Sequence, residues 1–544
     1  MTAEGADHGP SSRSAALRRW VLLAAVVLAA NTCTSASRIR AQTPPDPAPP
    51  TIPDAQPAVD APLFVGQNTF PAPLGRQADL TPPLATVRSN GGNTGVFDGP
   101  APLGKAPVTD STANDVRAPL LWNRQGDMVT GCRQQVAADL IKGCVATVSS
   151  ATLAIQARWL PPGQDLNLGS LALDDQRRAI FTTAQSHLVD LGLPDDGGTT
   201  FRPLRDMDVT AYLAPSELLA YAIEDGADNL WFATGARLGN GDPAPATTVG
   251  YVTPDDKVVV TRLPGLVVES PLAVDQGDVY LTTAPATGAD VAGATSGIYD
   301  LTAGGGQVQT VWRATYDVGS ARQPGAPTRG RGSPVVLLGP QYLAITDNAD
   351  AQAHLLVYLR GPLGPQARPG SDPRLVCKVG LFTPGESAVS AGLIGLSSGP
   401  VNSVIVANGW NAPGPVAVAG ADDPANSMNA MGPGLTRVDV AADGSGCTVS
   451  WTTPIRMKTA PVLSSATGLI YGYSQDEQRA ATGSYIWYFV AIDYRTGRVV
   501  WRQRAGAGGT KNDNREPLVL GANGVLYQSV PLGLVWMRDL AQRP

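Results

Sequence analysis

Residues 491–501 read Ala491-Ile492-Asp493-Tyr494-Arg495-Thr496-Gly497-Arg498-Val499-Val500-Trp501. An apolar run, an acidic turn closed by Thr-Gly and a β-branched run ending in an aromatic predict two strands joined by a tight turn. Gly497 supplies the positive-φ residue, and the Asp493 and Thr496 side chains favour turn backbone. The terminal indole is best buried between this sheet and a neighbour, so the stretch predicts sheets packed side by side.

Looser copies surround it. Val438-Asp439-Val440 runs through Asp443-Gly444 to Trp451, and Ile298-Tyr299-Asp300 runs through Gly304 to Trp312. Trp159, Phe201, the strand at 258–262 and Val376-Cys377 end similar units. A second half-repeat is small-Pro-apolar followed by a strand, at Ser270-Pro271-Leu272, Ser333-Pro334-Val335, Ala460-Pro461-Val462 and Glu516-Pro517-Leu518, with Gly399-Pro400-Val401 as a shorter variant. A repeated four-stranded sheet cannot cover both its faces alone, so copies stack radially and the ring closes. The fold class is therefore all-β, a β-propeller of about eight four-stranded blades over 116–544, with seven as the alternative. The last unit shows three strands, and Pro119-Leu120-Leu121-Trp122 is expected to supply its fourth.

The 491–501 stretch matches the Ala-x-Asp-x-x-Thr-Gly-x-x-x-Trp signature and so resembles the quinoprotein-like (PQQ-type) propeller repeat. The resemblance implies structural roles for Asp493, Thr496, Gly497 and Trp501, the Trp docking between adjacent blades. The region 434–539 also resembles secreted actinobacterial propellers of unassigned function, which implies export and fold more than chemistry. Quinone dehydrogenases of this superfamily carry an adjacent cysteine pair over the cofactor. No Cys-Cys pair occurs here, so pyrroloquinoline quinone is not expected; no cofactor is predicted, with Ca²⁺ as the alternative.

The 544-residue chain carries 60 glycines, 47 prolines, 16% charged residues and a formal charge of −6. An acidic chain without a basic run argues against nucleic acid as partner. Arg13, Arg18 and Arg19 precede an apolar run from Trp20 to Ala30, the pattern of a signal peptide over 1–41, with too few apolar residues for a membrane span. Arg18-Arg19 partly resembles a twin-arginine signal without its Ser/Thr lead, and Ala30-Asn31-Thr32 before Cys33 makes a poor lipobox, leaving the export route and lipidation open. Ten prolines between 42 and 74 place a disordered Pro/Gly-rich linker over 42–115, in which Pro71-Ala72-Pro73-Leu74-Gly75-Arg76 recurs as Pro100-Ala101-Pro102-Leu103-Gly104-Lys105. The other four cysteines are expected as disulfides, Cys132 with Cys144 and Cys377 with Cys447.

Candidate ligand-binding residues flank the half-repeats and are expected at the channel mouth: Glu269, Asn408, Trp410, Asn411, Asn514 and Glu516. Glu269 and Glu516 hold equivalent positions before the proline and are the acid–base pair of an enzymatic alternative. Asp347, Asn348 and Asp350 offer oxygen ligands suited to Ca²⁺. His187 and His354 lack metal-spaced neighbours, and 409–434 is a long loop placed to cover one end of the channel. These residues predict a secreted or cell-envelope monomer that binds an envelope protein or small ligand without catalysis. The alternative is a funnel enzyme: a carboxylate-dependent hydrolase, lyase or isomerase, or a metal- or quinone-linked oxidoreductase.

Overall fold

The computed structural model describes residues 49–540 apart from 59, 124–125, 138–139, 162, 175, 177, 196–197, 236–245, 269, 287–295, 321–322, 325–331, 364–371 and 416–422. The targeting segment, Cys33 and Glu269 lie outside the described residues.

From residue 116 the chain lays down four-stranded antiparallel sheets in succession, over 116–159, 166–208, 218–264, 273–315, 336–380, 394–453 and 462–507. An eighth takes Leu518–Leu520, Leu526–Val530 and Gly533–Asp539 from the C-terminal side and Pro107–Ala113 from the N-terminal side. Hydrophobic clusters fill the space between each sheet and the next. One holding Val116, Val148, Val519 and Tyr527 joins the eighth sheet to the first, so the ring closes as a β-propeller.

The prolines of the half-repeats stand just before short, fully buried first strands such as Ala273–Asp275, Val462–Ser464 and Leu518–Leu520. Proline lacks an N–H and is tolerated where a strand begins. Gly399-Pro400 differs: it turns Ile394–Ser398 into Val401–Ala407. The closing strand differs too. Val116–Trp122, expected to finish the last sheet, begins the first sheet instead, and Pro107–Ala113 pairs with Gly533–Asp539.

The segment expected as a solvated linker is bound over its described length. Its backbone bonds to the first strands of five sheets: Ala85 with Leu173, Gly91 O with Val274 N, Gly92 O with Leu337 N, Thr94 O with Gly395 N, and Gly95 O with Leu463 N. The Asn93 side-chain amide donates to Leu272 O and Val335 O. Residues 85–97 thus fill the channel and pair with strand edges that would otherwise stay unsatisfied, which explains why a proline-rich stretch becomes ordered. Leu80, Leu84 and Val96 are buried with it. A Cβ at Gly92 would lie 2.4 Å from Leu80 Cδ1 and 3.0 Å from Leu337 Cβ. Gly92→Val is expected to destabilise the protein by about 1–3 kcal/mol in denaturant unfolding. Gly99→Ala, with nothing within 4 Å of its Cβ, is the control; equal midpoints for the two would dismiss the close fit.

The Asp493 carboxylate accepts from Thr496 N and Oγ1, both at 2.8 Å, and Gly497 has φ +70°. Trp451 of the preceding sheet lies on Gly497, where a Cβ would stand 2.6 Å from its ring, and its Nε1 donates to Tyr494 O at 2.9 Å. Trp501 repeats this against the eighth sheet, lying on Gly104 at φ +78°. There the turn is made from both chain segments: Asp539 accepts from Leu103 N at 2.7 Å and Lys105 N at 3.0 Å. Both expected disulfides are present. Cys132–Cys144 links facing positions of neighbouring strands, and Cys377–Cys447 ties the fifth sheet to the sixth. No described helix is long and apolar enough to cross a membrane.

Between the second and third sheets, Arg178 meets Asp174, Asp190 at 3.2 Å and Glu224 at 2.8 Å. One guanidinium cannot neutralise three buried carboxylates, and burial pushes Glu224 up from 4.5 to about 8 against the pull of Arg178. The folded state therefore holds this proton more tightly than the unfolded chain. The contribution is fully present below about 4.5 and is lost as pH rises through 8. Thermal unfolding of Glu224→Gln is expected to show a flatter loss of stability across that window than the parent. Parallel pH profiles would count against a proton retained there.

Candidate functional site

The residues that precede the first strands of the sixth, seventh and eighth sheets converge at one mouth of the filled channel. With Arg88 of the channel segment they line a cavity of about 190 Å³, which includes Gly392, Lys458, Thr459, Arg515 and Pro517. Lys458 and Asp513 are both 0% exposed and pair at 2.9 Å. Lys458 Nζ also donates to Asn512 Oδ1 at 2.5 Å and lies 5.2 Å from the centre of the Trp487 ring. Burial lowers the Lys458 pKa, opposed by Asp513.

Asn514 and Arg515 take positive φ values of 50° and 66°. Asn512 Oδ1 accepts Asn514 N at 2.9 Å and Asp513 Oδ1 accepts Arg515 N at 3.1 Å, which holds this strained turn. The Arg515 guanidinium donates to Ala412 O at 2.5 Å and Pro413 O at 2.8 Å. The long loop is tied down further by Asn512 Nδ2 to Asn426 Oδ1 at 2.7 Å and by Gln475, which bonds Asn426 O and Met428 N. Met428 and Met431 are buried in the apolar cluster between the seventh and eighth sheets.

Of the sequence candidates, Asn514 and Glu516 are the chain neighbours of Arg515 and are not among the residues that line the cavity. Burial raises the Glu516 carboxyl, while Arg117 and Arg133 pull it down. Asn408 is a buried strut: its Oδ1 accepts Ala388 N and Trp410 N, and its Nδ2 donates to Glu386 O and Pro433 O. Asn411 donates to Pro324 O and Ala430 O, so it and Trp410 fix the loop. Asp347, Asn348 and Asp350 each bond a different partner. Asp347 accepts His354 N at 2.6 Å, stands 2.9 Å from His354 Nδ1 and 3.4 Å from Lys378 Nζ, Asn348 donates to Val318 O, and Asp350 accepts Ser320 N. Burial raises the Asp347 carboxyl, with His354 and Lys378 opposing it. Among the described residues no group of three or more His, Cys, Asp or Glu is placed to hold a metal.

Arg88, Lys458, Thr459 and Arg515 were not among the sequence candidates. Thr459 and Arg515 stand two residues before proline, as Glu269 does, and Lys458 stands one residue further upstream, so position in the repeat marks the first two. Arg88 is marked by Ser89-Asn90-Gly91-Gly92-Asn93-Thr94-Gly95, a turn-rich run unlike its proline-rich surroundings. A larger cavity of about 310 Å³ lies at the other ends of first strands, lined by Phe97, Leu120, Trp122 and Val519. It is mainly apolar, whereas the smaller one gathers charge, and chemistry rather than volume singles out the latter.

No family model and no curated protein sequence matches the chain. Solved structures similar to it include Sqt1 of Chaetomium thermophilum bound to the N-terminus of the ribosomal protein L10, 12% identical, covering 76% of this chain and 93% of that one at a TM-score of 0.42. The WD40 domain of SCAP from fission yeast is 8% identical over 80% and 96% at 0.41. A putative 6-phosphogluconolactonase from Bacteroides uniformis is 9% identical over 67% and 91% at 0.35.

Proposed function

We propose that this chain is an extracytoplasmic propeller of the quinoprotein-like repeat type, serving as a binding module that offers the Arg88–Lys458–Arg515 mouth to a protein or small ligand. The observation that carries this reading is how the polar groups there are used. Asn408, Asn426, Asn512 and Asp513 bond one another, the lysine or the backbone, which builds a rigid rim around a cationic recess. Preorganised rims of this kind suit recognition. Two disulfides support an oxidising compartment.

The test places a photo-reactive side chain at exposed Gly414 on the mouth loop, or at exposed Ala522 at the other end of the channel, in the native cell. Cross-links to a discrete partner from 414 and none from 522 are expected. Cross-links from 522 alone, or from neither position, would overturn this choice of face.

A further inference from the structure

We propose that the cavity beside Arg88 is an oxyanion site, taking a carboxylate or phosphate group of a small molecule. The inference deepens the binding reading above and rests on it.

Arg88 is 5% exposed, and burial lowers its pKa to about 10, with no carboxylate among the described residues acting on it. It donates to Leu393 O at 2.6 Å and Pro461 O at 3.2 Å, while its Nε has no partner. Thr459, on the same cavity wall, is 3% exposed and its Oγ1 is also without a partner. A buried guanidinium without a counter-ion is costly, and so is each orphaned polar atom. An oxyanion in the cavity relieves all three at once, because carboxylate and phosphate oxygens match the guanidinium fork and accept from a hydroxyl.

The surrounding charges agree. Asp513 is engaged by Lys458, and Glu516 is faced by Arg117 and Arg133, which leaves Arg88 as the cation of this wall with no carboxylate partner among the described residues. Gly392 completes the cradle: a Cβ there would stand 2.8 Å from Arg88 Nε. The cavity of about 190 Å³ holds an anionic group with a few attached atoms, since one water occupies about 30 Å³.

Isothermal titration of the full chain with inorganic phosphate, and separately with citrate, at ionic strength held constant with sodium chloride, tests the site. Saturable binding of at least one is expected, and which one separates a phosphorylated from a carboxylate ligand. Thr459→Val is expected to weaken it about tenfold and Arg88→Met about a hundredfold. Should Arg88→Met fail to fold, Gly392→Ala, which crowds the Nε side, joins Thr459→Val in deciding the matter. Binding no stronger than chloride, or saturable binding that Thr459→Val and Gly392→Ala leave unchanged, overturns the proposal. Cross-linking from 414 that persists in either case would retire the oxyanion site alone and leave the binding face standing.

Discussion

Trp501→Ala is expected to cost about 3–5 kcal/mol of stability, the range for emptying a large aromatic site in a packed core. The indole is 0% exposed, its ring centre lies 6.1 Å from Tyr471 and 6.4 Å from Phe64, and Gly104 passes directly beneath it. These contacts come from the seventh sheet, from the strand Phe64–Gly66 paired to its edge, and from the turn that begins the closing strand. The mutation therefore loosens the joint between the two ends of the chain rather than one sheet alone. Trp501→Phe is expected to cost less, because the indole Nε1 makes no hydrogen bond that would be lost. Denaturant unfolding and limited proteolysis of residues 49–115 measure both effects. A loss below about 1 kcal/mol for the alanine variant would mean that the ring does not depend on this indole.

The second large effect is at the mouth. Asp513→Asn leaves the Lys458 ammonium buried with a neutral neighbour and is expected to destabilise the protein by about 3–5 kcal/mol. Replacing both partners, Lys458→Met with Asp513→Asn, removes the unpaired charge and is expected to recover most of that loss. A double-mutant cycle reads the coupling. If the pair of substitutions proves as damaging as the sum of the single ones, the ion pair is not what holds the seventh and eighth sheets together at this end.

What the sequence revealed follows from range. The Ala491–Trp501 hairpin is written in eleven consecutive residues, and its turn, its glycine and its docking indole all stand as the residue pattern predicts. The units ending at Trp312, Trp451 and Trp501 were legible for the same reason. Ring closure was not, because Pro107–Ala113 has an unremarkable composition and its partner lies at the far end of the chain. The channel segment was obscured by its prolines: low apolar content reads as solvated chain, yet its order comes from backbone bonds to five other sheets, which no local pattern encodes. At the mouth, the pattern drew Asn514 and Glu516 from beside a half-repeat, while the cavity is lined by Arg515 between them.

The split eighth sheet also sets a clock. Leu103 and Asp539 are 436 residues apart, and ribosomes add about 5–20 residues per second. The segment that begins at Leu103 thus waits on the order of twenty to ninety seconds for the strand that receives it. Over that interval seven sheets can form while their ring stays open at one edge. A nascent chain interrupted before residue 533 presents that edge unpaired, the state from which strand-to-strand aggregation starts.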